Sequence, residues 1–337
     1  MKRLLALLLF AVPLAAAPTI TSVFPSTAPV GGGTIVTING TGFDDSPANK
    51  PQVFFGGTPA QNVTRRSDNL LEVTTPPHFP KTVAVRVTQR NGSATAPDPF
   101  TFTGKIEDAF DRVLLPLFTP PIDGAFGSQF VTHLRLANMS RDQRVWIYGL
   151  KGFCAIETCT EPDPLEVPFE VEPKEAMVPQ DFTYTGKPGQ FLYVPKSMPD
   201  VTFNLRVFDQ SRRAENFGTE LPVVRAEQFT TEPFELLDVP GDPRFRVTLR
   251  LYAPAATSVS VFYSDIGIPV DLKPGLNELE PAYAQLGDFG SGLFKYDITI
   301  VPSTTVPPFP GFEPVPVWGF VSVTNNETQL ITTITPQ

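Results

Sequence analysis

Residues Pro18–Phe43 read PTITSVFPSTAPVGGGTIVTINGTGF. From Thr19 to Val23 polar and apolar side chains alternate, the two-residue period of a strand with one covered face. Pro25 and Pro29 are expected to break that strand, because proline has no N–H to give a ladder. Gly31-Gly32-Gly33 is a turn that tolerates positive φ. Thr34 to Asn39, TIVTIN, is β-branched and alternates cleanly, so it reads as the next strand. Gly40-Thr41-Gly42 turns the chain again, and Phe43 is placed to plug the core beneath. Further strands are predicted over Pro51–Phe55, Leu70–Thr74 and Thr82–Gln89, then after an Asn91-Gly92 turn over Pro99–Thr103. Short strands at this spacing, separated by turn signals, imply a β-sandwich.

Composition extends the reading to the whole chain of 337 residues, 41% of them apolar. That length suits two or three domains with real cores. Proline accounts for 38 positions, about twice the usual share of ~5%. A proline-rich chain of this kind favours many short strands with rigid connections.

Met1 to Ala17, MKRLLALLLFAVPLAAA, has the layout of a secretory signal peptide. Lys2 and Arg3 supply the basic start, Leu4 to Val12 the apolar run, and Ala15-Ala16-Ala17 the small residues of a cleavage site. The run is well short of the ~20 residues that span a bilayer, no cysteine follows it, and no later segment reads as a span. Removing Lys2 and Arg3 from the 26 basic side chains leaves 24 against 35 acidic ones, a net charge of −11. Such a chain repels nucleic acid and anionic lipid, so neither is expected as a partner. Export makes an oxidising compartment the working one. There Cys154 and Cys159, the only two cysteines, are expected to pair as a local disulfide. Closing so short a loop gains little chain entropy, so the bridge would shape a loop.

The first hundred residues also carry a family pattern. Pro18, Ile20, Val23 and Pro25 form P-x-I-x-x-V-x-P, followed by Pro29-Val30-Gly31-Gly32 and by I-N-G-T-G-F from Ile38 to Phe43. Val53-Phe54-Phe55-Gly56-Gly57, Ala60, Leu71-Glu72-Val73-Thr74-Thr75-Pro76 and Phe100-Thr101-Phe102 complete it. In order and spacing, residues 18–104 resemble an IPT/TIG domain, an immunoglobulin-like module. The resemblance implies a spacer or interaction module. The DNA-binding use known for some such modules does not suit an acidic exported chain.

Residues 105–337 resemble no family but resemble themselves. Leu114-Leu115-Pro116 and then Leu134-Arg135-Leu136 correspond to Leu236-Leu237, Pro240 and then Leu249-Arg250-Leu251. Val167 to Pro173 corresponds to Ile268 to Pro274, and Gly189-x-Phe191-x-Tyr193 to Gly292-x-Phe294-x-Tyr296. Each half closes in a hairpin-like pair: Val201–Asp209 with Thr219–Val224, and Val317–Thr324 with Thr328–Thr335. The expected organisation is therefore all-β: a signal peptide over 1–17, the IPT/TIG-like sandwich over 18–104, and two repeated β-sandwiches over 105–228 and 229–337.

Catalytic groups are hard to assemble from these residues. A serine triad needs a histidine as base, and the only two, His78 and His133, fall in different domains. His78 sits in a loop, and His133 alternates with Thr132 and Leu134 on a sheet face. The carboxylate pairs Asp44-Asp45, Glu161-Asp163 and Asp238-Asp242 lie beside Pro or Gly, where Asp caps turns. Calcium at Asp44-Asp45 or around Glu161 to Glu166 lacks a recognisable loop pattern, and zinc at the cysteines lacks further ligands. No catalytic residue, metal or cofactor is expected. Trp146 and Trp318 lie in alternating strands and are expected inside the sandwiches. If either faced solvent, it would offer a ring for sugar.

Loops on rigid sandwiches are where binding concentrates. The two halves differ most at the cysteine loop, Phe153 to Pro164, and at Pro302–Pro316, PSTTVPPFPGFEPVP. Prolines flanking Phe309 and Phe312 hold that second loop extended, making it the candidate interaction loop. Folding of both rings back onto the domain is the competing expectation. The function read from the sequence is an exported, non-catalytic, modular protein for extracytoplasmic or cell-surface interaction, secreted to the periplasm or beyond. Its partner would be a protein or a glycan, with a carbohydrate-binding accessory protein as the alternative and a secreted hydrolase behind it.

Overall fold

The structure, a computed structural model, describes the chain except for residues 1–15, 118–120, 150–167, 178–189, 199, 212–217, 280–294 and 304–313. The protein divides into two compact units, Met1–Ala109 and Phe110–Gln337. The described residues are almost entirely β, as expected from the sequence.

In the first unit, Thr19–Phe24, Ile35–Thr41, Leu70–Thr74 and Val63–Ser67 form one sheet in that order. Gly92–Thr95, Val85–Gln89, Gln52–Phe55 and Thr58–Pro59 form a second. Alternation decides what faces inward. Val36 and Ile38 pair with Val73 and Leu71. Together with Val53, Phe55, Val85 and Val87 they form one buried core. The closing Phe-Thr-Phe completes it: Phe100 and Phe102 pack edge-on against Phe55, with ring centroids 4.9 and 5.9 Å away. Phe43 is buried in the same core. Gly40, within the strand that precedes it, admits no side chain, because a Cβ there would stand 1.9 Å from the Thr19 carbonyl oxygen and 2.7 Å from the Phe43 ring.

Pro29 does not behave as the sequence suggested. Thr27–Pro29 is itself a short strand, parallel to Phe100–Thr103. It lies at the edge of a three-stranded sheet, where a missing N–H breaks no ladder. The Val30 amide then resumes the bonding to the Thr103 carbonyl at 2.9 Å. The polar strand Val63–Ser67, the two-residue strand Thr58–Pro59 and Gly92–Thr95 were likewise not expected; each lies at or near a sheet edge, with little apolar alternation to announce it.

The second unit contains the same arrangement twice. In its first half one sheet runs Phe169–Val171, Val145–Gly149, Gln190–Pro195, Phe110–Leu115, Val224–Arg225. The other runs Ile122–Asp123, Gln129–Asn138, Val201–Asp209, Thr219–Leu221, with Ala176–Met177 also on Gln129–Asn138. In the second half the sheets run Ile266–Leu272, Thr257–Tyr263, Lys295–Pro302, Phe234–Pro240 and Gly275–Leu279, Phe245–Ala253, Trp318–Asn325, Ile331–Ile334. Taken in chain order, each described strand of the second half has a counterpart at the equivalent place in the first, whereas Ile122–Asp123 has none among the described residues. Even the last pairing recurs. Val224 and Arg225 add to Phe110–Leu115, and the Gln337 amide reaches the Glu235 carbonyl of the equivalent strand.

The halves meet over a short connection. Arg225 still belongs to the first half, pairing with Val113 and bonding Asp111 at 2.8 Å. Thr230 already belongs to the second, exchanging backbone hydrogen bonds with Val317 at 3.0 and 2.8 Å.

Candidate functional site

Strand Phe245–Ala253 sends Val247, Leu249 and Leu251 into its own core. The alternate positions Arg246, Thr248, Arg250 and Tyr252 therefore stand on the outer face. Register puts them opposite Thr324, Ser322, Phe320 and Trp318, respectively. This outer face is not solvated as an edge-on sandwich would have it: Tyr252 and Phe320 are fully buried and Trp318 nearly so. The first half lies against it. The Tyr252 hydroxyl, wholly buried, donates to the Pro116 carbonyl, and that burial pushes its pKa far above the usual tyrosine range. At the neighbouring sheet edges the Thr219 hydroxyl donates to the Ile331 carbonyl, and the Thr333 hydroxyl to the Glu220 carbonyl at 3.5 Å.

Between these contacts a cleft of about 300 Å³ remains. Its first wall is the outer face just described, with Arg246, Thr248, Arg250, Ser322 and Thr324. The opposite wall is the end of the first sandwich, with Leu117, Ile122, Ala125, Phe130, Thr132 and Val207, and Ile331 closes one side. One wall thus offers hydrogen-bond donors and the other is mainly apolar. Among the described lining residues there are two arginines and no carboxylate or imidazole.

The two arginines differ in what they already hold. Arg250 is tied in place: its Nε donates to Glu278 Oε1 at 2.8 Å, one Nη donates to Ser322 Oγ, and its guanidinium stands 5.9 Å from the Phe320 ring centre. Arg246 makes one side-chain bond among the described residues, to Asn326 Oδ1 at 3.4 Å. A guanidinium carries five N–H donors in a planar fork, so Arg246 retains donors to offer.

Among the described residues, those singled out from sequence do not come together within either unit. His78 is buried in the first unit, stacked on Phe102 at 4.6 Å, with Nδ1 2.8 Å from the Phe79 carbonyl. His133 is exposed on its sheet face in the second unit, edge-on to Phe208 at 4.6 Å. Asp44 caps its own turn: Ser46 donates to it through N–H and Oγ, each at 2.9 Å, and Asn49 donates at 3.1 Å. Those hydrogen bonds, that of the Ser46 amide first, hold its carboxyl below the usual aspartate range. Asp45 pairs with Arg65 at 3.7 Å. Asp238 faces Lys295 at 3.1 Å, whereas Asp242 is gripped by Arg244, so these two carboxylates are not a pair. No three His, Cys, Asp or Glu side chains gather around a point among the described residues.

Trp146 and Trp318 are both buried, at 4% and 6% exposure. Trp318 is not inside a sandwich, as its strand pattern suggested, but on the outer sheet face where the halves meet, stacked against Phe320 at 5.6 Å. Cys154, Cys159, Glu161, Asp163, Phe309 and Phe312 lie outside the described residues. No described helix is long and apolar enough to cross a membrane.

The cleft residues were not anticipated. The signal available was the strand Arg246-Val-Thr-Leu-Arg-Leu-Tyr252, whose outer positions pair polar side chains with Tyr252, opposite a strand whose outer positions are Trp318 and Phe320. A solvated face has no use for three large aromatic rings, so their presence marks a covered one.

Solved structures with similarity to the chain include the gamma-CGTase of an alkalophilic Bacillus clarkii, 17% identical, over 64% of this chain and 26% of that one, with a TM-score of 0.22. They also include SGBP-B from a xyloglucan utilization locus of Bacteroides uniformis, 10% identical, over 95% of this chain and 74% of that one, with a TM-score of 0.22. A third is the surface glycan-binding protein PbSGBP-B of Prevotella bryantii, 12% identical, over 95% of this chain and 99% of that one, with a TM-score of 0.22. The chain thus spans about a quarter of the first of these proteins. At such TM-scores, function has to be argued from this chain's own residues. No curated protein matches it. Residues 18–103 match the model of the IPT/TIG domain, and this part of the chain is an IPT/TIG domain.

Proposed function

We propose that the protein is an exported, non-catalytic string of β-sandwiches that binds another extracytoplasmic macromolecule, in the periplasm or at the cell surface. The observation that carries this reading is the modular build: an IPT/TIG domain followed by one sandwich topology used twice. The signal-peptide pattern of Met1 to Ala17 supports export as part of this reading. The domains would be 18–104, 105–228 and 229–337, with a Cys154–Cys159 bridge shaping one loop and Phe309 and Phe312 presented by another.

The absence of turnover is part of the reading. Acid–base chemistry needs a group that accepts and returns a proton near the reacting atoms. The described lining of the cleft offers arginines and hydroxyls, and arginine does not give up its proton in this pH range. Protein is favoured over glycan as the partner, because the tryptophans that would supply flat sugar platforms are both buried.

The test is capture by the immobilised mature chain from envelope fractions, run beside a glycan panel. We expect one envelope protein to be retained saturably, and retention to fall at least about tenfold, ~1.4 kcal/mol, in a Phe309→Ser/Phe312→Ser variant. Saturable binding of one sugar class without protein capture would replace this reading with the carbohydrate-binding one.

A further inference from the structure

We infer that the cleft between the two sandwich repeats binds a small organic carboxylate, with its charge on Arg246 and Arg250 and its apolar body against Leu117, Ile122 and Phe130. The inference goes beyond the modular-interaction reading and stands or falls separately from it.

Charge is the first argument. The chain carries 35 acidic against 26 basic side chains, yet the described lining of this cleft holds two guanidinium groups and no acid. Glu278 answers Arg250 from outside the lining, at 2.8 Å. No ion pair forms at Arg246 among the described residues, where Asn326 at 3.4 Å is the side-chain partner. A carboxylate accepts two parallel N–H bonds from one guanidinium, a geometry lysine does not offer. The hydroxyls of Thr248, Ser322 and Thr324, one row away across the register, are further donors to the same anion.

Shape is the second argument. The volume of about 300 Å³ lies at the small end of the range for ligand pockets, roughly 300–1,000 Å³. The far wall of Leu117, Ile122, Phe130 and Val207 is apolar, so an inorganic anion would leave it wet and uncovered. An acid with a short aliphatic or aromatic body would satisfy both walls.

Preorganisation is the third. The two repeats are tied to each other by the buried bond from Tyr252 to Pro116 and by the Thr219–Ile331 and Thr333–Glu220 bonds. Arg250 is held by Glu278 and Ser322 before any ligand arrives. Of the two guanidinium groups, Arg246 is the one left to be ordered on binding.

Calorimetric titration of the purified full chain tests the assignment, with hexanoate, benzoate and 3-phenylpropanoate as probes, against hexanol, benzyl alcohol and sulfate. At least one carboxylate should bind with one-to-one stoichiometry, and at least about tenfold more tightly than its matched alcohol and than sulfate. Arg246→Gln should weaken that carboxylate by about tenfold or more and leave the alcohols unaffected. Arg246 is half-exposed and, among the described residues, its side chain is tied to Asn326 alone, so this variant should fold. Ala125→Trp, at an exposed turn on the opposite wall, should block the same ligand by filling the cleft. Three results would each overturn the proposal: no carboxylate binding at millimolar concentration, equal binding of acid and alcohol, or unchanged affinity in both variants. Sulfate binding as tightly as the acids would reassign the cleft to inorganic anions and likewise reject it.

Discussion

At the scale of single residues, the side chain that most resembles a catalytic group is put to structural use. His78 is buried in the first unit between the Phe102 ring and the Phe79 carbonyl. Burial lowers its pKa from the ordinary 6.5, the Phe79 bond opposing that shift and the Lys81 charge adding to it. The sign of the consequence follows. Well above the ordinary 6.5 the ring is neutral in both folded and unfolded chains, and pH has no hold on stability through it. Below that, the unfolded chain takes up a proton that the folded chain refuses, so stability falls until the depressed folded pKa is passed. Hydrogen exchange at Val36 and Ile38, in the core of this unit, should therefore quicken, relative to its intrinsic rate, between about pH 7 and pH 5. In His78→Phe, which keeps a ring on Phe102, that pH response should shrink. An identical response in the variant would show that another group is responsible.

At the scale of elements, the junction between repeats hangs on the outer face of one strand. Tyr252 is fully buried and its hydroxyl meets the Pro116 carbonyl. Replacing it with phenylalanine keeps the ring against Trp318 but leaves that carbonyl unanswered, at a cost of about 1–3 kcal/mol. Urea unfolding followed by tryptophan fluorescence should show the loss, and a midpoint equal to that of the unaltered chain would mean the bond contributes nothing. Such strands also show what was legible beforehand. Period-two alternation exposed both Leu134-Arg-Leu136 and Leu249-Arg-Leu251 as equivalent strands, and the shared order of such blocks revealed the repeat. Alternation says which residues share a face. It is silent on what covers that face, because covering depends on contacts between residues far apart in sequence, such as Pro116 and Tyr252. For that reason Trp318 reads as an interior ring from its strand pattern alone, and nothing in the alternation marks Arg246 and Arg250 as lining a cleft. Edge strands such as Val63–Ser67 escaped for a related reason: their backbone bonding needs no apolar pattern.

At the scale of the whole molecule, the two tryptophans allow the repeats to be watched without disturbance. Trp146 belongs to the first repeat and Trp318 to the second, and there are no others in the chain. Fluorescence therefore reports on Phe110–Gln337 alone. Independent beads on a string would unfold one after the other, each at its own midpoint. The contacts here argue otherwise. Tyr252, Trp318 and Phe320 are buried where the halves meet, and opening that face would expose three large rings together with the Pro116 carbonyl. Each fully buried aromatic contributes roughly 1.5–3 kcal/mol by transfer, so the junction is worth a sizeable fraction of the 5–15 kcal/mol that holds a typical domain folded. The connection, from Arg225 to Thr230, leaves almost no free chain to absorb separate motion. We therefore expect a single fluorescence transition in urea. Hydrogen exchange in strands Gln129–Asn138 and Phe245–Ala253 should be lost at the same denaturant concentration. Two resolved transitions would mean that the repeats are energetically separate. The cleft between them would then be a gap between neighbours and not the preformed site that binding a carboxylate requires.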